Sequence, residues 1–395
     1  MSPAVPADPG QLSLTLGGPL YQLMLRARIL RPPMELLLRR MVAVVAFAWL
    51  PLLVLAAIQG DLLGNGVRVP FLVDISVHAR LLVALPLMIA CELGVHRHLG
   101  PLFQEFVVQG IVRPADRPHF DAIKASTMRW RDSIPVELTL LLLAATVGHY
   151  VWSRQSVQMG DTWYAHLAGT TKSLTPAGLW YAFVSVPFLQ FIVLRWYYRL
   201  VLWARALWLV SRLDLHLVPS HPDRCGGLSF LGKGTFAFNP LLLAQGVLLA
   251  GALASRIFFD GQTLLAFRSE IAAFVVLLVL IVVGPLFVFT PALIKVKRRG
   301  IFEYSRLGAS YTREFERKWI RPVDPPQEPL IGSADIQSLA DLASSFEVVN
   351  GMRPFPFGAS AIAGSALFVL LPVLPLVLTM VPLDEILKRL VKVLV

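Results

Sequence analysis

The sequence predicts an all-α polytopic membrane protein, a bundle of six or seven transmembrane helices with a small helical layer at its cytoplasmic end. Three observations predict it. Of 395 residues, 56% are hydrophobic and 15% are charged, with a mean hydropathy of +0.65; a soluble domain carries about 25% charge. The apolar residues gather in runs about as long as a bilayer is thick. The cations concentrate in alternate connecting segments. A soluble enzyme, a disordered chain and a disulfide scaffold are excluded, the last because Cys91 and Cys225 are the only cysteines.

Taken in order, residues 1–35 form a cytoplasmic or interfacial N-terminal segment. No charged stretch precedes its mildly apolar part, so no cleavable signal is expected and the first span is read as an uncleaved anchor. Seven segments qualify as spans: 36–58, 73–95, 134–152, 179–198, 236–258, 271–294 and 359–382. Alternate connections hold 27 and 5 Lys or Arg residues, which places the N-terminus in the cytoplasm. The net charge of +11 and pI of about 10.0 are therefore read as positive-inside charge facing anionic lipid, with no nucleic-acid partner expected. Trp180-Tyr181 and Trp196-Tyr197 lie about 24 Å apart along one helix and are expected to mark the two interfaces.

Residues 36–294 thus hold spans one to six, and the fourth is expected to run on unbroken from Leu179 to Leu213. Residues 295–358 are read as a cytoplasmic helical segment. In it Tyr304, Leu307, Tyr311, Phe315 and Trp319 step by three and four, then Pro322, Pro325, Pro326 and Pro329 impose a break. A second helix is expected from Ser333, with Ile336, Leu339, Ala343 and Phe346 on one face. Pro372 and Pro375 interrupt 359–382, which fits either a seventh crossing or a re-entrant hairpin. The tail, 383–395, reads as an interfacial amphipathic helix. The outer loops are short, and no internal repeat is visible, which removes a common pointer to a secondary transporter.

The most unusual local sequence is the glycine-rich cytoplasmic loop at 216–235, between spans four and five. It concentrates His216, His221, Asp223, Arg224, Cys225, Gly226, Gly227 and the run Gly232-Lys233-Gly234. His216, His221, Asp223 and Cys225 are acceptable metal ligands, but their spacing matches no strong zinc pattern, so the metal remains unassigned. Gly227 to Lys233 imitates a phosphate loop, yet Gly234 stands where Ser or Thr should hold magnesium and no strand precedes it. That reading is rejected, and no cofactor is expected. Arg224, Lys233 and free glycine amides suit an anion or lipid headgroup. The plainer alternative is a turn begun by Pro222 and capped by Asp223, with His221 bonded to a backbone carbonyl and the glycines permitting close helix approach. The candidate ligand or gate residues are accordingly His221, Asp223, Arg224, Gly226 and Gly227.

The stretch Leu213-Asp214-Leu215-His216-Leu217-Val218-Pro219-Ser220-His221-Pro222-Asp223-Arg224-Cys225-Gly226-Gly227-Leu228 resembles the signature loop of uncharacterised bacterial multi-pass membrane proteins. Asp335 to Phe346 and Met352-Arg353-Pro354-Phe355-Pro356-Phe357 are similar to later segments of that family. The resemblance implies a bacterial inner-membrane location and carries no mechanism. Cys225 stands where a small residue such as Ala would be expected, which argues against a thiol-dependent role.

Ionisable groups at membrane depth cost about 2.5–3.5 kcal/mol each and mark function by default. Glu92 and Glu137 lie near the inner ends of spans two and three, and Arg195 and Arg199 one turn apart at the inner end of the fourth. Gln190, Asn239 and Gln245 lie in the inner half of spans four and five. One reading is a water-filled vestibule in which the glutamates select cations or relay protons, making Glu92, Glu137, Gln190, Arg195, Asn239 and Gln245 candidate permeation residues. The other is that the glutamates pair with Arg195 and Arg199 and hold the bundle together.

The functional expectation is a channel or transporter-like protein passing a small ion or solute, regulated from the cytoplasmic side. A membrane-embedded enzyme using His221 and Asp223 as acid and base on a lipid-linked substrate is the first alternative. A non-catalytic assembly or signalling partner is the second. No catalytic constellation is visible, and a second copy of the chain is a partner the sequence leaves open.

Overall fold

The computed structural model describes residues 12–26, 37–64, 66–150, 161–168, 171–322, 329–330 and 332–380. Helix accounts for 79% of it, so the all-α reading stands. In chain order the helices are α1 (Pro19–Arg26), α2 (Leu37–Gln59), α3 (Ile75–Val108), α4 (Arg117–Arg131), α5 (Ile134–Gly148), α6 (Pro176–Val210), α7 (Phe230–Asp260), α8 (Leu264–Ile320), α9 (Ala334–Asn350) and α10 (Ala359–Met380). Six of them, α2, α3, α6, α7, α8 and α10, are long and apolar enough to cross a membrane; α5 is apolar but shorter. The sequence missed one β-hairpin, β1 (Ala165–Ala168) and β2 (Thr171–Leu174), antiparallel with Ala165 opposite Leu174.

The bundle has two chemically distinct ends. The hairpin end gathers residues 60–64, 66–74, 161–168, 171–175 and 260–268. There Trp163 is wholly buried and donates its indole N–H to Asp74 at 3.0 Å, while His166 meets the buried Asp61 at 3.1 Å. A bridge between Val69 and Thr162 joins the segment before the hairpin to the connection between α2 and α3, so short loops still build an ordered cap. The opposite, basic end carries α1, α4, α9 and the loop 211–229. An aromatic core of Phe103, Phe106, Phe120, Trp203, Phe238 and Phe289 ties α3, α4, α6, α7 and α8 together there.

Prolines are absorbed without breaking the long helices. A 3₁₀ stretch at Gly284–Phe289 accommodates Pro285, and α8 then continues to Ile320. At 57 residues this helix is roughly 85 Å long, more than twice the hydrocarbon thickness of about 30 Å. The sixth span and the helix expected over 304–319 are therefore one rod, against which α9 packs. Ser333 caps α9 as its sequence predicts, accepting from the Asp335 amide at 3.1 Å. Pro372 and Pro375 likewise fall in a helix that continues from 359 to 380, and the described segment contains no chain reversal. The amphipathic tail expected at 383–395 lies outside the described residues.

Among the described residues four π-helical turns, at Ala79–Ala84, Ala144–Gly148, Tyr181–Ser185 and Glu316–Ile320, fall in α3, α5, α6 and α8. Two of them are bridged where Arg80 donates to the Tyr181 hydroxyl at 3.1 Å. The expected aromatic belt on α6 is only partly lipid-facing. Tyr181 and Trp196 are buried in the core, and Trp196 donates to the Met88 carbonyl at 3.1 Å. One face of α6 must pack inward, and these two rings lie on it.

Candidate functional site

The basic end holds a cluster of ion pairs buried inside the bundle. Glu92 on α3 is 3% exposed and meets guanidinium groups from two other spans. Arg199 lies 2.8 Å from one of its oxygens and Arg195 3.6 Å from the same oxygen, while Arg40 of α2 donates to the other. Arg195 also pairs with Glu137 of α5 at 3.0 Å. Helical spacing explains the convergence. Arg195 and Arg199 are one turn apart on α6 and so share a face, and that face looks onto α3 and α5. Arg199 additionally lies 4.7 Å from the centre of the Trp196 ring, a cation–π contact.

Of the six permeation candidates, the structure brings together Glu92, Glu137 and Arg195. The other three lie elsewhere. Gln190 donates to the Gly148 carbonyl at the π-turn of α5, 3.1 Å away. Gln245 accepts from the Tyr197 hydroxyl at 3.3 Å, and Asn239 begins the main run of α7. All three keep a buried polar atom without a hydrogen-bond partner among the described residues: Gln190 Oε1, Asn239 Oδ1 and Gln245 Nε2. Such atoms cost about 1–3 kcal/mol each when left dry.

Sequence reasoning found the α6 arginines but missed three contributors. Arg40 was legible only as a positive-inside charge, since nothing in the sequence says its side chain turns into the bundle. Arg131, at the end of α4, is held by Asp132 at 2.8 and 2.6 Å. The third is the backbone of the N-terminal segment, which lies across the cluster. Leu20 donates its amide to Glu137 at 3.0 Å, Arg195 donates to the Gly17 carbonyl at 3.3 Å, and Arg131 to the Ser13 carbonyl at 2.6 Å. Leu12 and Leu14, each 1% exposed, anchor the segment. Gly17 and Gly18 take φ of 142° and 89°, conformations open to glycine; a Cβ on Gly17 would collide with the Asp132 and Arg131 side chains, and one on Gly18 would stand 3.3 Å from Arg195. Beside this seal a small, partly open cleft is lined by Arg131, Ser133, Glu137, Arg195, Tyr198 and Arg199, with Val136 and Leu140 as its apolar wall.

The 216–235 loop has a different construction. Asp223 accepts three backbone amides, Cys225 at 2.7 Å, Gly227 at 3.2 Å and Ser229 at 3.0 Å. Its oxygen also meets His221 Nδ1 at 2.9 Å, so His221 pairs with this carboxylate and not with a backbone carbonyl. Partial burial works to raise the Asp223 carboxyl, but the amides and His221 outweigh it and hold it below the usual aspartate value. Arg224, Gly226 and Gly227 all adopt positive φ, the first unusual for a non-glycine residue.

The loop grips the 352–358 segment. Arg353 donates its amide to the Arg224 carbonyl at 2.8 Å, its guanidinium to the Asp223 carbonyl at 3.3 Å, and Cys225 Sγ to the Phe355 carbonyl at 3.6 Å. The loop at 213–228 and the segment at 352–357 are thus in contact. Burial pushes the Cys225 thiol above its ordinary value, away from nucleophilic use. The expected Gly232-Lys233-Gly234 turn is instead the first turn of α7. A Cβ on Gly232 would stand 2.9 Å from the Pro356 carbonyl, so this glycine serves close packing, and Lys233 is exposed. Among the described residues no group of three His, Cys, Asp or Glu side chains is placed to hold a metal.

The chain matches no family model, no curated protein and no solved structure.

Proposed function

We propose that this multi-pass membrane protein is a channel or transporter-like protein that passes a small anion or anionic solute and is closed at its basic end. One observation carries the reading. Three guanidiniums, Arg40, Arg195 and Arg199, surround two carboxylates, Glu92 and Glu137, inside the bundle. Buried charge is costly to insert and is retained where ions or substrates pass. The excess is positive and both glutamates are neutralised by arginine, so the charge balance favours an anion over the cation expected from the glutamates alone. The unpaired Oε1 of Gln190, which lies on the hairpin side of the cluster along α6, supports a polar route toward that end.

In this reading the basic end faces the cytoplasm of a bacterial inner membrane, in line with the charge asymmetry. Residues 12–20 act as the closing segment. The alternative of an enzyme using His221 and Asp223 loses support, because the Asp223 carboxylate is already engaged by three amides. Flux from proteoliposomes of the purified protein tests the proposal, with chloride, nitrate and potassium as probes. Removal of residues 1–20 should raise anion flux several-fold, and Arg195→Gln should lower it. No flux of any ion from either the parent or the truncated chain, over a range of voltages, overturns the reading.

A further inference from the structure

The cleft beside the charge cluster has features that the permeation reading does not use. It lies between the start of α5 and the middle of α6 and is partly open. Its polar side presents Arg131, Arg195, Arg199, Ser133 and Tyr198 together with the Glu137 carboxylate, which Arg195 pairs at 3.0 Å; its other wall is Val136 and Leu140. Arg195 and Arg199 are 7% and 3% exposed. The lipid-facing stripe of α5 is next to it, since Leu138 and Leu142 on the same helix are 60% and 64% exposed.

The charges around the cleft do not balance. Four guanidiniums, Arg40, Arg131, Arg195 and Arg199, meet three carboxylates, Glu92, Asp132 and Glu137. Among the described residues one positive charge is left without a counter-charge in a largely buried setting, where an unmatched charge is strongly unfavourable. A monoanion seated in the cleft balances it. Arginine forks match the oxygens of a phosphate better than any other side chain does. An apolar wall continuous with a lipid-facing helix is of no use to a free inorganic anion, but it suits an acyl chain.

We infer that this cleft binds the phosphodiester of an anionic phospholipid, with Arg131, Arg195 and Arg199 at the phosphate and an acyl chain along Val136 and Leu140. The site lies where α5 begins, at the level of the headgroups on the basic side. The inference shares Arg195, Arg199 and the excess positive charge with the permeation reading, but lipid occupancy is measured without flux, so the two are tested separately.

Native mass spectrometry of the full chain, delipidated in detergent and titrated with phosphatidylglycerol, phosphatidylcholine or inorganic phosphate, provides the test. Two variants accompany the parent: Arg131→Ala, which removes a phosphate ligand, and Val136→Trp, which fills the cleft without touching a charge. Thermal melting in the same detergent confirms that both are folded. One phosphatidylglycerol per chain is expected, held about tenfold more weakly in each folded variant, with phosphatidylcholine bound weakly because it carries no net charge. Equal retention of phosphatidylglycerol in parent and variants overturns the site. Displacement of the lipid by inorganic phosphate at similar concentration overturns the lipid assignment and leaves a simple anion site. Should Val136→Trp fail to fold, Val136→Phe and Tyr198→Phe take its place with the same expectation.

Discussion

Within the buried cluster Glu92 is the residue on which the most ion pairs converge, because three arginines from two helices share its two oxygens. Glu137 has one arginine and one backbone amide. Removing one member of a buried ion pair leaves the others uncompensated and costs about 3–5 kcal/mol. Glu92→Gln should therefore lower the melting temperature in detergent markedly more than Glu137→Gln, which leaves Arg195 its contact with Glu92. Equal effects would mean that the cluster is hydrated and not a buried lock. The side chains of this cluster were legible in the sequence as charges at improbable depth, but their pairing was not. Arg40 follows Arg39 with nothing to distinguish them, yet only Arg40 is 2% exposed, because 100° of helical rotation turns it inward.

At the scale of elements, the loop between α6 and α7 is a clamp. Asp223 organises it by accepting three amides, and the folded loop then holds the 352–358 segment ahead of α10. An asparagine offers one acceptor oxygen in place of two, so Asp223→Asn should lose about 1–3 kcal/mol of stability. The pH dependence follows from the lowered carboxyl. Its contribution is complete above the ordinary value of 3.8 and is lost as pH falls below that through the lower folded value. Melting curves should show an acid-dependent drop in the parent over that window that is smaller in Asp223→Asn; identical acid profiles would remove Asp223 as the cause. The turn chemistry of Pro, Asp and Gly was readable from sequence. Its partner segment, 130 residues away, was not, since contact between distant loops depends on how the helices between them pack.

For the whole molecule, the division into a basic and a hairpin end allows a test of orientation. Cys91 and Cys225 are both buried, which gives a quiet background for labelling introduced thiols. Gln262 is exposed at the hairpin end and Gln337 is exposed on α9 at the other. With the basic end in the cytoplasm, Gln262→Cys should react with a membrane-impermeant maleimide on intact cells and Gln337→Cys only after lysis. The reverse pattern would overturn the orientation inferred from 27 against 5 basic residues.

By itself the sequence determined that this chain is a helical membrane bundle, roughly where its spans fall, and which end is basic. These follow from local composition: a bilayer demands about twenty apolar residues per crossing, and backbone groups in hydrocarbon must bond within the helix. It also marked Glu92, Glu137, Arg195 and the Asp223 loop as unusual. Only the tertiary structure decided that Arg40 completes the ion cluster, that residues 12–20 lie across it, that Trp196 faces inward, and that the loop at 221–229 clamps 352–358. Each of these depends on which helix face meets which neighbour. That is settled by packing among distant segments, and no local pattern encodes it.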